Sequence, residues 1–194
     1  MNKSILLLSL LALPASLFAE AVTYKVDPSH SSVNFKIRHL VSKVKGNFTD
    51  FSGKIVLDPA DLKASSAVGE IKIKSINTAN EKRDGHLQGD DFFKESKFPV
   101  MTFKSTAFKP AGHDTYEMTG DLTFAGVTKP VTLKLVKTGE ADSPMVKGAK
   151  VAGFEATGTL KRSDWGMSYG KGMVGDEVDL EIQIEAAIEK SASK

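Results

Sequence analysis

Apolar and polar residues alternate along most of the chain, and this is the pattern of β-strands that bury one face. The alternation is clearest near the end, where every second residue from Val178 to Ile188 is apolar and most of the residues between them are charged or polar. A strand this long, apolar on one side and charged on the other, is typical of an antiparallel sheet with one solvated face.

Similar runs recur along the chain, separated by turn signals such as Asp27-Pro28 and Asp58-Pro59. They lie at Val22–Val26, Val33–Ile37, Lys45–Asp58, Val68–Ile76, Pro99–Lys109, Tyr116–Phe124, Lys129–Thr138 and Ala152–Leu160. Roughly eight or nine strands with short connections predict either a closed antiparallel barrel or a two-sheet sandwich. No linker composition or internal repeat divides them, so residues 22–194 are predicted to form one all-β domain.

One segment departs from the β pattern. Thr78-Ala79-Asn80-Glu81 has the form of a capping box, with Thr78 as the cap and Glu81 as its reciprocal partner. A short helix is therefore predicted to follow through Leu87, before Pro99 opens the next strand.

The first 21 residues have the form of a secretory signal peptide. Lys3 is followed by the apolar stretch Ile5–Leu13, which is too short to span a bilayer, and then by Pro14. Cleavage is expected after Ala19 or Ala21. This predicts export to the periplasm and a mature chain with no transmembrane segment.

Composition narrows the possible chemistry. The formal net charge is +2, and charges of both signs are interspersed, so a nucleic-acid partner is not expected. The chain has no Cys, which excludes disulfides, thiolate metal sites and cysteine nucleophiles. The four histidines are dispersed without metal-ligand spacing, so no metal or cofactor is predicted, although separate strands could still bring ligands together.

The residues Gly166-Met167-Ser168-Tyr169-Gly170 match the G-x-S-x-G sequence of the α/β-hydrolase elbow, but the sequence around them does not. That elbow needs a strand before it, a helix after it and a later His. Here a glycine-rich stretch follows, and the last histidine is His113. No catalytic residue is predicted, and an exported lipid-acting hydrolase that uses Ser168 or a histidine cluster is the alternative function.

Five motifs in order resemble the YceI family. They are Asp27–Ser31 with Val33–Leu40; Gly46–Gly53; Asn80–Leu87 with Asp91–Phe93 and Phe98–Phe103; Gly120–Val131; and Lys161–Met167. Trp165 departs from the usual Phe of the last motif, and the stretch Met145–Lys150 has no counterpart in the pattern.

The resemblance implies a lipocalin-like antiparallel β-barrel of about eight strands with a short helical segment. It also implies a periplasmic protein, often a homodimer, that binds a polyisoprenoid, an isoprenoid quinone or a fatty-acid-like chain and is linked to stress responses. No catalytic activity is established for the family as a whole.

A barrel of eight strands lies at the size where side chains either fill the interior or leave room for one ligand. Small residues such as Gly120 and Ala156 among inward Phe and Met fit both outcomes. Strand parity and the neighbouring aromatic residues predict a lipid pocket formed by Val33, Phe35, Ile37, Leu40, Phe48, Phe51, Phe92, Phe93, Met101, Phe103, Met118, Leu122, Phe124, Phe154, Trp165 and Met167.

Two polar groups are candidates for the pocket entrance. Arg83, Asp84 and His86 could bind a lipid head group, or an Arg–Asp ion pair could fix the helix to the barrel. A cationic cluster, Lys161, Arg162 and Lys171, surrounds Trp165 in the sequence and marks either an entrance for an anionic lipid or a solvated loop.

Overall fold

The computed structural model describes residues 21–189. The predicted signal peptide therefore lies outside the described residues, apart from Ala21. The strands of the described part are β1 (Val22–Val26), β2 (Ser32–His39), β3 (Ser42–Phe48), β4 (Phe51–Leu57), β5 (Ser66–Lys72), β6 (Ile76–Asn77), β7 (Val100–Gly112), β8 (Thr115–Phe124), β9 (Val127–Asp142), β10 (Lys150–Lys161) and β11 (Val174–Glu189). Helix α1 spans Glu81–Gln88, and short 3-10 turns span Pro28–His30, Leu62–Ala64, Ile73–Ser75 and Arg162–Trp165.

The six short strands β1 to β6 act as three long, bent strands. Both β1 and β2 pair antiparallel with β11. On their other side, β2 pairs antiparallel with β3, and β1 pairs antiparallel with β4. In the same way, β4 pairs with β5, and β3 pairs with β6. With β7 to β11, the described residues form eight strands, each antiparallel to the next, and β1 closes the ring on β11. The predicted antiparallel barrel of about eight strands with a short helical segment is confirmed.

Two predicted runs are broken where the inward side chains change their spacing. Phe48 and Phe51 are both buried, with two exposed residues between them, and they end β3 and begin β4. Ile73 and Ile76 are buried at the same spacing of three, and Ile73 begins the 3-10 turn that Ile76 follows. A spacing of three fits the 3-10 period and not the strand period of two, so Lys45–Asp58 and Val68–Ile76 each divide.

The predicted short helix is present as α1, but its cap is Asn80 and not Thr78. The Asn80 side chain accepts a hydrogen bond from the backbone N–H of Arg83 at 3.0 Å, which is the N-cap to N3 bond. Thr78 is only 6% exposed, and its hydroxyl bonds the side chains of Asp84 and Arg83 instead. The capping-box assignment was therefore wrong by two residues.

The two ends of the barrel differ. At one end lie α1, the β2–β3 and β8–β9 hairpins and the β10–β11 connection, whereas the β4–β5, β7–β8 and β9–β10 connections lie at the other. The interior toward the second end is packed, and Tyr24 and Phe154 meet there edge to face, with ring centroids 4.9 Å apart. We call this packed region the floor of the barrel.

Candidate functional site

The barrel contains a mainly apolar cavity of about 440 Å³. This volume lies within the range of about 300–1,000 Å³ that is typical of small-molecule sites. Thirteen of the sixteen predicted pocket residues line it: Val33, Phe35, Ile37, Phe48, Phe51, Phe92, Phe93, Met101, Phe103, Met118, Leu122, Phe124 and Met167. Their contact with a ligand stays a prediction.

Two glycines help to keep the interior open. Gly46 lies opposite Phe35 in the β2–β3 ladder, and a Cβ on Gly46 would overlap the Phe35 ring. Gly120 lies opposite Ser105, diagonally from Phe103, and a Cβ on Gly120 would overlap the Phe103 ring. Each phenyl ring therefore lies against the wall, over a residue with no side chain, instead of projecting across the lumen. The small residues accommodate neighbouring rings, and the space remains in the middle.

The wall formed by β11 faces open space. Leu180, Ile182 and Ile184 line the cavity and are only partly buried, although they point inward. Side chains in a filled core would be fully buried, so the partial exposure reflects the cavity itself. The predicted pocket omitted these residues, although the alternation from Val178 to Ile188 was the signal that could have found them.

Three predicted pocket residues lie elsewhere. Leu40 is 55% exposed at the β2–β3 hairpin, because its positive φ of 51° turns the chain there. Phe154 is 1% exposed and packs into the floor against Tyr24. Trp165 is 2% exposed and packs behind the cavity wall, where its indole N–H donates to the backbone carbonyl of Leu122 at 3.2 Å.

The three predicted head-group residues divide between two roles. Arg83 and His86 line the cavity, and Asp84 does not. Arg83 donates from Nε and Nη2 to the hydroxyl and the carbonyl of Thr78, both at 2.7 Å, and Asp84 accepts from the same threonine. The two charged side chains are thus joined through Thr78, and this bridge replaces the alternative of a direct Arg–Asp pair.

His86 belongs to an aromatic cluster at the end of the barrel that carries α1. Its Nε2 is 2.9 Å from the Asp91 carboxylate, and its ring meets Phe92 and Tyr169 edge to face. Phe93 continues the cluster inward, to Phe124 at 4.9 Å between ring centroids. Tyr169, which also lines the cavity, was not among the predicted pocket residues.

The position of Arg162 differs from both of the alternatives that the sequence analysis gave for it. It was grouped with Lys161 and Lys171 as an entrance or a solvated loop, yet it is only 7% exposed and lines the cavity. Strand parity could have predicted this position. Every second residue of β10 faces inward, and Arg162 continues the series Ala156, Gly158, Leu160.

Ser168 lies in an exposed stretch after a 3-10 turn, and the next regular element is strand β11. A hydrolase elbow would place a strand before the serine and a helix after it. Within residues 21–189, no hydrogen bond joins Ser168 to a histidine. The hydrolase geometry is therefore not formed at this loop.

Asp27, His30 and Glu185 bring three potential metal-ligand atoms within 4.8 Å of one another on the outside of the barrel. The Asp27 carboxylate is already bonded to the His30 ring at 2.8 Å and to the backbone N–H of Ser29. The bond to His30 lowers the pKa of Asp27, and the same bond raises the pKa of His30. These bonds are explained by the role of Asp27 as the N-cap of the first 3-10 turn, Pro28–His30.

The YceI-like domain family model matches residues 24–186. Protein YceI of Escherichia coli O17:K52:H18 is 41% identical over 194 residues, covering 98% of this chain and 100% of the relative. BcnA of Burkholderia cenocepacia has a TM-score of 0.75 at 27% identity, covering 83% of this chain and 99% of its own. A polyisoprenoid binding domain from Saccharophagus degradans has a TM-score of 0.67 at 16% identity, covering 86% and 98%, and shows the same fold.

Among the described residues, no helix is both long and apolar enough to cross a membrane.

The match of the family model covers nearly the whole barrel, from β1 to β11, and the relative from Escherichia coli is similar along essentially its full length. On both grounds, this chain belongs to the YceI family.

Proposed function

We propose that this protein is a binding protein that holds one long-chain apolar lipid inside the barrel, as a carrier or reservoir and without catalysis. The lipid class is a polyisoprenoid, an isoprenoid quinone or a fatty-acid-like chain. The observation that carries the proposal is the mainly apolar cavity of about 440 Å³ inside a closed barrel.

Apolar contact alone can supply the binding energy. Burying ten methylene groups contributes about 8 kcal/mol, at ~0.8 kcal/mol each, before the costs of association. The wall offers adaptable partners, since Met101, Met118 and Met167 lie on it with several Phe rings. The polyisoprenoid binding domain of Saccharophagus degradans, which has the same fold, supports this class of ligand.

The proposal includes export to the periplasm, where a carrier could move a lipid that water cannot dissolve. The basic, apolar and small-residue order of residues 1–21 supports export. A link to stress responses and assembly as a homodimer are further parts of the proposal, and both rest on family membership.

The test is a variant that fills the lumen. Ile182→Trp adds a large ring to the cavity wall, whereas Gln183→Trp adds the same ring to the exposed face of the same strand. We expect wild type and Gln183→Trp to bind a fluorescent prenyl or acyl probe at one per chain, and Ile182→Trp to bind at least tenfold more weakly. Equal binding by Ile182→Trp, with its fold intact by circular dichroism, would place the probe outside the barrel and overturn the proposal.

A further inference from the structure

Two neighbouring loops at the end of the barrel that carries α1 expose large apolar side chains. In the β2–β3 hairpin, Leu40 is exposed and Val41 is 97% exposed. In the β10–β11 connection, Tyr169 and Met173 are each about half exposed. The backbone N–H of Leu40 donates to the carbonyl of Met173 at 2.8 Å, which joins the two loops. We call these four residues the apolar rim.

The turn of the β2–β3 hairpin does not explain its two apolar residues. Two-residue connections between antiparallel strands favour Gly, Asn or Asp where φ is positive. Leu40 holds such a position, with a φ of 51°, where a large side chain costs conformational energy. Val41 buries almost none of its side chain against residues 21–189. Residues that break a local rule without a gain in packing are expected at functional surfaces.

The apolar rim is continuous with the cavity. Tyr169 and Met173 line the cavity and are also exposed to solvent. His39, which is exposed at the base of the hairpin, lines the cavity as well. On the other side, the ring of Tyr169 contacts His86 of α1 edge to face. The rim therefore connects the cavity wall to the outer surface at this end of the barrel.

The charges carried by the two loops are positive. The charged residues of 38–43 and 168–174 are Arg38, Lys43 and Lys171. Lys43 pairs with Asp179 at 2.8 Å, whereas Arg38 and Lys171 form no ion pair within residues 21–189. Exposed apolar side chains with cations beside them are the composition of a surface that enters the headgroup region of an anionic membrane.

Carboxylates beside the two loops are bound to neighbouring groups or lie outside the loops. Asp91 pairs with His86 at 2.9 Å, and Asp176 accepts hydrogen bonds from the N–H and the hydroxyl of Ser163. Asp164 is exposed, but it lies in the 3-10 turn that precedes the rim. The two cations without an ion pair are therefore available to an anionic surface.

We propose that the apolar rim docks on the surface of a lipid bilayer that contains anionic lipids, so that a lipid moves between membrane and cavity without crossing water. This rests on the proposed function, because the lipid must be what the barrel holds. Leu40 and Val41 enter the apolar boundary of the bilayer, and the cations beside them lie at the level of the lipid phosphates. Met145 and Val146, which are exposed at the other end of the barrel, do not line the cavity and have no such role.

The test compares the same change at the two ends of the barrel. Val41→Glu adds a carboxylate to the rim, and Met145→Glu adds one at the opposite end, where the side chain is 88% exposed. Vesicles of phosphatidylglycerol and phosphatidylcholine, loaded with a fluorescent prenyl probe, serve as the donor. We expect Met145→Glu to take up the probe as wild type does and Val41→Glu to do so about tenfold more slowly, roughly the factor for burying a valine side chain.

Two further measurements separate docking from binding in the cavity. Probe delivered from cyclodextrin, without vesicles, should bind equally to wild type and to Val41→Glu, because Val41 does not line the cavity. Wild type should take up probe more slowly from vesicles of phosphatidylcholine alone, and Lys171→Gln should lower the rate from the anionic vesicles. Failure of wild type to bind probe from cyclodextrin would contradict the proposed function, and this inference with it.

Three results overturn the docking surface while leaving the proposed function intact. The first is equal uptake from vesicles by wild type and Val41→Glu, and the second is a rate that does not depend on phosphatidylglycerol. The third concerns a second copy of this chain as the occupant of the rim. Sedimentation velocity would then show a wild-type dimer that Val41→Glu dissociates and Met145→Glu does not, with no binding of either form to vesicles.

Discussion

At the residue scale, the space in the barrel depends on where individual rings lie. The phenyl ring of Phe35 rests on Gly46, and that of Phe103 rests on Gly120. A phenyl ring occupies much more volume than the methyl group that would displace it. We therefore expect these two glycines to affect binding, although neither has a side chain to contact a ligand.

Gly46→Ala tests this role. The added Cβ would overlap side-chain atoms of Phe35 and Thr78, so the ring must move toward the lumen. Overpacking costs about 1–3 kcal/mol, more than the roughly 0.5–1 kcal/mol that removing a strand glycine returns. We expect lower stability in urea and several-fold weaker binding of an apolar probe. Gly85→Ala is the control, since nothing lies within 4 Å of its added methyl group, and unchanged binding by Gly46→Ala would refute the role.

Arg162 shows at the same scale what the sequence could and could not predict. Its parity with Leu160 already places it inside the barrel. Its fixed orientation depends on the carbonyl groups of Val174 and Gly175, which lie twelve and thirteen residues later in the chain. Alternation predicts which face a residue occupies, but a contact across a connecting loop depends on the path of that loop.

At the scale of elements, α1 is attached through Thr78. The threonine precedes the helix and joins Arg83 and Asp84, which lie within its first turns. The helix has no fully buried residue of its own, so these polar bonds, with the aromatic cluster beyond it, hold it on the barrel. Because Arg83 and His86 both line the cavity, the attachment of α1 also shapes that end of the site.

Thr78→Val keeps the shape of the side chain and removes the bridging hydroxyl. Leaving buried partners unsatisfied costs about 1–3 kcal/mol, so the free energy of unfolding should fall by that amount. Amide hydrogen exchange should increase chiefly in 81–88. Thr106→Val removes an exposed hydroxyl and should change the stability little. Equal effects of the two variants would contradict the bridging role.

The element boundaries were predictable only in part. The alternation located the strands, because each has one face toward water and one toward the interior. The breaks after Phe48 and after Lys72 were missed, since a spacing of three between buried residues is easily absorbed into a longer strand. The shift of the helix cap from Thr78 to Asn80 has a similar cause, because both residue types can cap a helix and only the tertiary contacts of Thr78 decide between them.

At the scale of the whole molecule, the barrel combines a packed floor with an opposite end that carries arginine and aromatic side chains. The floor is stabilised by the ring contact of Tyr24 and Phe154, and burial raises the pKa of the Tyr24 hydroxyl. The opposite end carries both arginines of the cavity wall and the aromatic cluster around His86.

The sequence could not decide between a filled and a hollow barrel. The same inward residues, Phe and Met with Gly and Ala, fit both, and the outcome depends on side-chain orientation across neighbouring strands. In the described barrel the rings of Phe35 and Phe103 lie over Gly46 and Gly120, and the partial exposure of Leu180, Ile182 and Ile184 marks the open space.

The most direct test of lipid binding is the mass of the protein as purified from cells. The protein, expressed with residues 1–21 present and purified without detergent, is measured by native mass spectrometry and again after denaturation. We expect a folded chain carrying one apolar molecule, released on unfolding and absent from Ile182→Trp. Bare polypeptide from wild type, in preparations that retain the barrel fold, would contradict the claim that the cavity exists to hold a lipid.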